Sequence, residues 1–298
     1  MPKTNDTLFN RITGLLVIEA RNSNPNGDPD MESDPRVMDA DERGMISPVS
    51  FKRKLRDMVG DKEGPVWAEA KKKLGLNSDR GFEILESRGR DRDEIKKMDA
   101  ETFKNTYWDA RVFGNTFLES LKGESFKPGE KEHFICTGVV QVGLGVSVAP
   151  IEVERMTMTN KSGVQEGKDR GMAPLGWRVV RHAVYTMPFF VNPMMARKSG
   201  CDTRDIELLE FLIPHAYRTT ASAVRPFVEI RHAWRAEHRS PLGSCPDSLI
   251  LDALTPKVKG ESGGPNTSMD DYEIPTTLPD QVGSRLTTIG DLCLKEWS

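Results

Sequence analysis

Short apolar runs predict strands along most of the chain. Residues 12–20 form a compact apolar run between polar flanks, which is typical of a buried strand. Residues 134–148 and 183–191 predict further strands. Glycines in the first of these indicate a bulge or a close backbone approach, and Pro188 in the second favours a sheet edge or a bend. Alternation of residue character over 227–234 predicts one more strand.

Two amphipathic helices are predicted between these strands. Ser47 can cap the first helix and Pro48 suits its first position, so the helix should begin there and run to about Val59. Its apolar face would consist of Phe51, Leu55, Met58 and Val59. The second helix should span residues 203–218, with Thr203 as its cap and Pro214 as a kink or stop.

Three polar stretches predict excursions from this core. Residues 60–105 are dense in charge, residues 150–180 are rich in glycine and polar side chains, and residues 256–284 are rich in Gly, Pro, Ser and Thr. We expect a helical insertion, a protruding hairpin and a flexible surface segment, respectively. The remaining order of strands and helices favours one α+β domain over residues 1–298, and the ferredoxin-like arrangement is one member of that class.

Composition limits the function classes but does not select one. The formal net charge is -3, so any nucleic-acid binding must use a local basic face. The four cysteines are scattered and form no CxxC pair, which favours reduced thiols in a prokaryotic cytoplasm. No long apolar run or signal-peptide core is present, and the five histidines lack HExxH spacing. We therefore expect a cytoplasmic protein without membrane, metal or cofactor.

The stretch after the first strand, residues 21–30, holds the asparagines Asn22, Asn24 and Asn26. A calcium loop fails here because the position of the closing glutamate is Ser33. The amide side chains could contact the sugar or phosphate groups of a nucleic acid. Alternatively, they could form successive Asx turns that only fix the exit from the strand.

The strongest electrostatic signal is a run of four cations that opens the first helix. Lys52, Arg53, Lys54 and Arg56 lie close to a helix N-terminus, and both features favour phosphate. The alternative is a solvated helix face without a ligand.

An acid–base role is also open for one histidine. His182 with Tyr185 could serve RNA cleavage, which needs groups that titrate near neutral pH. A buried, hydrogen-bonded strand histidine is the favoured alternative. No other catalytic group is predicted.

Several segments, taken in order, resemble a known family. They are NSNPNGDPD, PRVMDADERGMIS, VSFKRKLRDMV, YWDARVFG, TGVVQVGLGVSV, VERMTMTNKSG and HRSPLGSCP, and they span roughly residues 12–250. Together they resemble the backbone subunit of the type I-C CRISPR surveillance complex, Cascade, in the RAMP superfamily. Departures from the family pattern occur at Arg43-Gly44 and Ser50-Phe51.

The resemblance implies a modified RNA-recognition-motif palm with helical fingers and a hairpin thumb. It implies a non-catalytic subunit whose copies line up head to tail along the CRISPR RNA guide (crRNA) with other Cascade subunits, and present its bases to target DNA. The fingers would be the insertion at 60–105, and the thumb the hairpin at 150–180.

In such a subunit the four cations would contact phosphates and the three asparagines sugar or phosphate. Arg111 beside Phe113 would press against a base or cross a subunit boundary, and Met156 and Met158 would wedge between bases. The alternatives are a RAMP-type RNA-processing endoribonuclease that uses His182, and a binding protein that never assembles.

Overall fold

The computed structural model of the chain describes residues 9–76, 80–87, 92–116, 135–161, 172–260 and 266–297. The strands in this part are β1 Ile12–Ser23, β2 Arg43–Ile46, β3 Gly114–Thr116, β4 Ile135–Thr137, β5 Val140–Val142, β6 Gly145–Pro150, β7 Val153–Lys161, β8 Met172–Val191, β9 Val228–His238, β10 Lys257–Val258, β11 Tyr272–Glu273 and β12 Leu286–Asp291. The helices in this part are α1 Pro48–Gly60, α2 Pro65–Lys73, α3 Arg92–Lys97, α4 Ala100–Thr106, α5 Trp108–Phe113, α6 Ala196–Ser199, α7 Thr203–Leu212, α8 Asp247–Leu254 and α9 Asp280–Gly283.

An antiparallel sheet organises these elements in the order β12-β9-β1-β8-β6-β2. Along the chain, α1 lies between β1 and β6, and α7 lies between β8 and β9. The four inner strands therefore follow one another in sequence as β-α-β-β-α-β, while their order in space is β9-β1-β8-β6. The α+β class predicted from the sequence is confirmed.

Each sheet face carries its own apolar core. One face packs Leu16, Ile18 and Tyr185 against side chains of α1, α5 and α7. The other face packs Leu15 and Val17 against α8 and the C-terminal segment. A two-sided core of this kind encloses the central strand β1 from Ile12 to Ala20, because its successive side chains point to opposite faces, whereas Arg21 and Asn22 are exposed.

The stretch 256–284, for which flexibility stays a prediction, has two apolar anchors in the core. Tyr272 is 3% exposed and Val282 is 6% exposed, and both pack on the second sheet face. Residues 261–265 lie outside the described part. Apolar residues spaced among the glycines and prolines thus supply a cover that composition alone did not reveal.

Strand β8 joins two features that the sequence analysis treated separately. It runs from Met172 to Val191, so the predicted strand at 183–191 and one arm of the predicted hairpin are one continuous strand. Its first part pairs with β7 alone and extends past the sheet. The hairpin tip, residues 162–171, lies outside the described part.

Pro188 lies inside the sheet, so the expectation of an edge is wrong. It faces Leu15 of β1 on one side, while β5 and β6 pair with β8 on the other. The neighbouring strand is interrupted opposite it at Gly143 and Leu144, where the amide of Gly143 donates to the carbonyl of Pro188. A Cβ on Gly143 would lie 2.7 Å from the proline ring, so this close approach requires glycine, as predicted for this region.

The predicted start of the first helix is confirmed. The hydroxyl of Ser47 accepts a hydrogen bond from the Ser50 amide at 3.1 Å, and Pro48 holds the first helical position. The cap of the later helix is corrected from Thr203 to Asp202, whose carboxylate accepts from the Asp205 amide in a capping box. Helix α7 ends at Leu212, before Pro214.

The charged stretch 60–105 contains helices α2, α3 and α4 in its described part. Ala70 and Phe82 join the main core, while Ile95 and Phe103 belong to a separate small cluster with Leu85 and Ala110. This part of the insertion is therefore anchored to the sheet at one side and holds its own core at the other. No helix in the described residues is long and apolar enough to cross a membrane.

Candidate nucleic-acid interface

Helix geometry separates the four cations of α1 instead of presenting them as one patch. Successive residues rotate by about 100°, so only neighbours three or four apart share a face. Lys52 and Arg56 turn towards the ring of Phe113, at 5.1 Å and 5.3 Å from its centroid. Arg56 also pairs with the buried carboxylate of Asp109 at 2.8 Å. Arg56 is thereby held as a structural cation.

Arg53 keeps part of its charge available. Its guanidinium donates to the carbonyl of Glu86 at 2.7 Å and lies 3.8 Å from Asp57. The side chain is 47% exposed. An exposed pair of this kind contributes little to stability and exchanges easily with a ligand.

Lys54 is the one buried side chain among these four cations. It is only 5% exposed, and its ammonium lies 5.0 Å from the centroid of the Tyr217 ring. Among the described residues no carboxylate lies within ion-pair distance of it. Burial and, to a lesser extent, the nearby charge of Arg225 lower the pKa of Lys54 to about 8, against an opposing effect of Asp57. A buried cation without a counter-ion is costly, which makes an anionic ligand favourable at this position.

Arg225 supplies a second cation beside Lys54. Its Nε donates to the backbone carbonyl of Asn24 at 2.9 Å, and no described carboxylate pairs with it. The hydroxyl of Tyr217 is buried with no hydrogen-bond partner in the described structure, and burial raises the pKa of this phenol. We call Lys54, Arg225 and Tyr217 the Lys54 cleft. Two cations and an unused hydroxyl can together hold one phosphate.

Residues 21–34, which we call the asparagine loop, connect the Lys54 cleft to the neighbouring strands and to α1. Asn24 is 5% exposed, and its amide group donates to the carbonyls of Ser33 at 2.8 Å and Arg178 at 3.1 Å. Asn26 accepts a hydrogen bond from the Ser47 amide at 2.7 Å, which ties the loop to the start of α1. The amide donors of Asn24 and the amide oxygen of Asn26 are engaged within the protein, so both side chains position the loop, and their contact with RNA stays a prediction.

Asn22 alone among the three asparagines is exposed. Its backbone has a φ of 42°, a left-handed conformation that asparagine tolerates better than most residues. It stays a predicted RNA contact.

The predicted base contacts of Arg111 and Phe113 do not fit their positions. Arg111 is 0% exposed, and its guanidinium pairs with Asp205 at 2.8 Å and donates to the carbonyls of Lys104 and Gly81. Phe113 is 8% exposed and packs edge-on against Trp108. Arg111 joins α5 to α7 through a fully hydrogen-bonded buried guanidinium, and Phe113 packs between α5 and the cations of α1.

Of the two methionines predicted to insert between bases, Met156 is exposed on the hairpin. Met156 is 40% exposed on β7 and lies opposite Trp177 of β8. The backbone of Met158 pairs with Leu175, but its side chain lies outside the described part. The hairpin base is fixed to the asparagine loop by an ion pair of Arg155 with Asp34 at 2.5 Å.

The acid–base alternative meets an obstacle in the sheet itself. His182 and Tyr185 lie an odd number of positions apart on β8, so they point to opposite faces. His182 is 5% exposed and bonds to Glu19 at 3.0 Å, while Tyr185 is fully buried in the first core. Burial raises the pKa of Tyr185. The two groups cannot act on one substrate in this conformation.

Ser244, His238 and Asp247 are arranged in the order of a hydrolase catalytic triad, but their hydrogen bonds do not allow that reaction. The hydroxyl of Ser244 lies 3.2 Å from His238, which lies 3.4 Å from Asp247. However, His238 is 0% exposed and accepts the backbone amide of Ser244 at 3.0 Å, and the Ser244 hydroxyl donates to the carbonyl of Arg285. The proton and lone pair that a nucleophile and its base would use are already engaged.

Arg225 and Tyr217 were missed by the sequence analysis. Arg225 is a single cation in a polar loop, and Tyr217 follows a helix end. Their only signal is a contact with α1 about 170 residues away in the chain, which no local pattern reports.

The fold and the cleft thus define a sheet protein with a buried cationic site that has no counter-ion among the described residues and suits a polyanion. A family model described as CRISPR-associated protein Cas7 matches residues 10–277. The chain therefore belongs to the Cas7 family of CRISPR-associated proteins. A CRISPR-associated protein Cas7 of Haloferax volcanii is 26% identical over 233 residues, which cover 73% of this chain and 67% of that protein.

Solved structures of CRISPR RNA-guided surveillance complexes contain similar chains. One, from a complex described as pre-nicking, has a TM-score of 0.47 and 17% identity, and covers 85% of this chain and 82% of its own. Another has a TM-score of 0.38 and 15% identity, and covers 83% of this chain and 78% of its own. At these values the likeness carries no argument, and the family assignment rests on the sequence.

Proposed function

We propose that this Cas7-family chain is the repeated crRNA-binding backbone subunit of a type I Cascade, of the I-C kind, and that it does not cleave RNA. The observation that carries the proposal is the Lys54 cleft, where two cations meet without a carboxylate among the described residues. A site of this kind binds a phosphate whatever the base attached to it. Sequence-independent holding of a guide needs that property.

The fold supports specific parts for this function. The β-α-β-β-α-β sheet would be the RNA-recognition-motif-like palm, the insertion at 60–105 the fingers, and the β7–β8 hairpin the thumb. Met156, exposed on that hairpin, would displace a base at the boundary between two copies. Copies aligned head to tail would leave the other bases free to pair with target DNA, and other Cascade subunits would cap the row.

RNA binding at varied salt concentration tests the cleft. The double variant Lys54→Ala/Arg225→Ala should bind RNAs of unrelated sequence more weakly to the same degree. The slope of log affinity against log salt should fall by about 0.7, which is the contribution of one phosphate contact to a single strand. The matched control Lys257→Ala/Lys259→Ala removes two exposed cations elsewhere and should change neither quantity.

Two results would contradict the proposal. An unchanged salt slope in the double variant would remove the cleft from the interface. Cleavage of repeat RNA by the wild-type protein, lost in His182→Ala, would support the endoribonuclease instead.

A further inference from the structure

The two ends of the central sheet carry opposite, unpaired charge. The C-terminal end of β1 meets β8 at Ser23 and Val180, and the N-terminal end meets it at Ile12 and Val191. With 12 residues in β1 and a rise of about 3.4 Å each, these ends lie roughly 40 Å apart. They are therefore separate surfaces of one copy.

One end is acidic. The loops that follow β1 pack at this end, where Glu32 pairs with Arg178 and the carbonyl of Glu42 accepts the Ile151 amide. Asp30, Asp39 and Glu42 are exposed, and no cation in the described residues pairs with their carboxylates. We call these three residues the acidic end. Met31, 62% exposed, lies beside them.

The other end is basic. Residues 192–200 follow the last residue of β8, and Arg197 and Lys198 of α6 are both exposed. No described carboxylate lies within ion-pair distance of either. We call this pair the basic end. Met194, 58% exposed, lies beside it.

We propose that the acidic end of one copy docks on the basic end of the next. The inference rests on the proposed function, because it assumes that copies line up on one RNA. The Lys54 cleft lies near the acidic end, since Arg225 bonds to Asn24 directly after β1, but the exposed carboxylates themselves repel phosphate and remain available to a protein partner. A two-fold contact would place like charges together, whereas a head-to-tail contact pairs opposite charges and continues into an open row.

The contact has the composition of an oriented, reversible interface. Exposed charges give direction and partner choice more than affinity. The exposed methionines, one at each end, are flexible apolar groups that adapt to a partner surface. Because the charges are exposed, screening should weaken the contact as salt rises, with a Debye length of about 10 Å at 0.1 M.

Charge reversal and charge exchange test this docking. Assembly would be measured by analytical ultracentrifugation on a long RNA that holds several copies. Affinity would be measured on an RNA too short for two. Arg197→Glu/Lys198→Glu should keep its affinity for the short RNA but lose cooperative assembly on the long one by about tenfold or more, because like charges then face each other. Adding Asp30→Lys/Asp39→Lys to the same chain should restore its assembly with itself.

The control Lys71→Glu/Lys72→Glu makes the same charge change at exposed positions of α2 and should assemble like the wild type. Full assembly by the reversed double variant, or no recovery in the fourfold variant, would overturn the docking inference. Failure of the wild-type protein to bind the short RNA would instead overturn the proposed function.

Discussion

Two buried cations, Arg111 of α5 and Lys54 of α1, lie in opposite electrostatic surroundings. Arg111 is fully enclosed, and Asp205 together with the carbonyls of Lys104 and Gly81 accepts its hydrogen bonds. Lys54 is almost as deeply buried, yet it faces another cation, Arg225, and a phenol without a partner. The sequence predicted RNA contact for both, with a phosphate for Lys54 and a base or a subunit boundary for Arg111.

The difference separates a structural charge from a binding charge. A buried ion whose counter-ion lies within the chain stabilises the fold. Removing that ion leaves its partner buried without the counter-ion. A buried ion without a counter-ion destabilises the free protein. An anionic ligand that binds beside it removes that cost. Under the proposed function, the Lys54 cleft therefore costs stability in the absence of RNA, and bound RNA would relieve that cost.

The largest expected effect tests the structural half of the comparison. Arg111→Met should destabilise the fold by about 3–5 kcal/mol, because buried Asp205 would keep only Arg80 as an ion-pair partner and the carbonyls of Lys104 and Gly81 would lose their donor. Urea unfolding measures this change. Arg197→Met, at an exposed position, should stay within about 0.5 kcal/mol of wild type. A small loss in Arg111→Met would show that the pair is not needed.

Lys54→Met should have the opposite effect on stability. Removing an uncompensated buried charge should raise the unfolding free energy by about 1–3 kcal/mol in the absence of RNA. RNA affinity should fall about tenfold or more, since a charge-assisted contact contributes about 1.5–3 kcal/mol. The exposed control Lys72→Met should change neither. Lower stability with unchanged affinity would make Lys54 an ordinary packing residue.

The smallest effect is a pH dependence of RNA binding. Lys54 has a pKa of about 8 in the free protein, and a bound phosphate would raise that pKa. Its contribution to affinity is then complete below pH 8 and is lost as pH rises through the higher pKa of the complex. Affinity measured between pH 7 and pH 10 should fall by at most about tenfold per unit above 8. Lys54→Met should flatten this dependence, and an identical profile in both proteins would contradict it.

Local patterns were sufficient for the elements that local chemistry determines. The start of α1 follows from Ser47 and Pro48, and the strand at 12–20 follows from its apolar run, although β1 continues to Ser23. The glycines at 138 and 143 were expected to mark close backbone approaches, and each has a backbone or proline atom where a Cβ would lie.

Local sequence patterns could not predict contacts between residues that lie far apart in the chain. The interior place of Pro188 depends on the interruption of a neighbouring strand opposite it. Which cations are free depends on acids that lie far away in the chain, since Arg56 meets Asp109 and Arg111 meets Asp205. A basic run therefore predicts charge, but only the fold shows that Lys54 lacks a counter-ion among the described residues while Arg56 has one.

The titration of the Lys54 ammonium, followed by NMR of nitrogen-labelled lysine side chains and assigned with Lys54→Met, addresses the central claim most directly. We expect a pKa of about 8 in the free protein and a clear rise once a short RNA occupies the cleft. An ordinary lysine pKa in the free protein, or a pKa that RNA leaves unchanged, would contradict the assignment of this residue as the phosphate receptor.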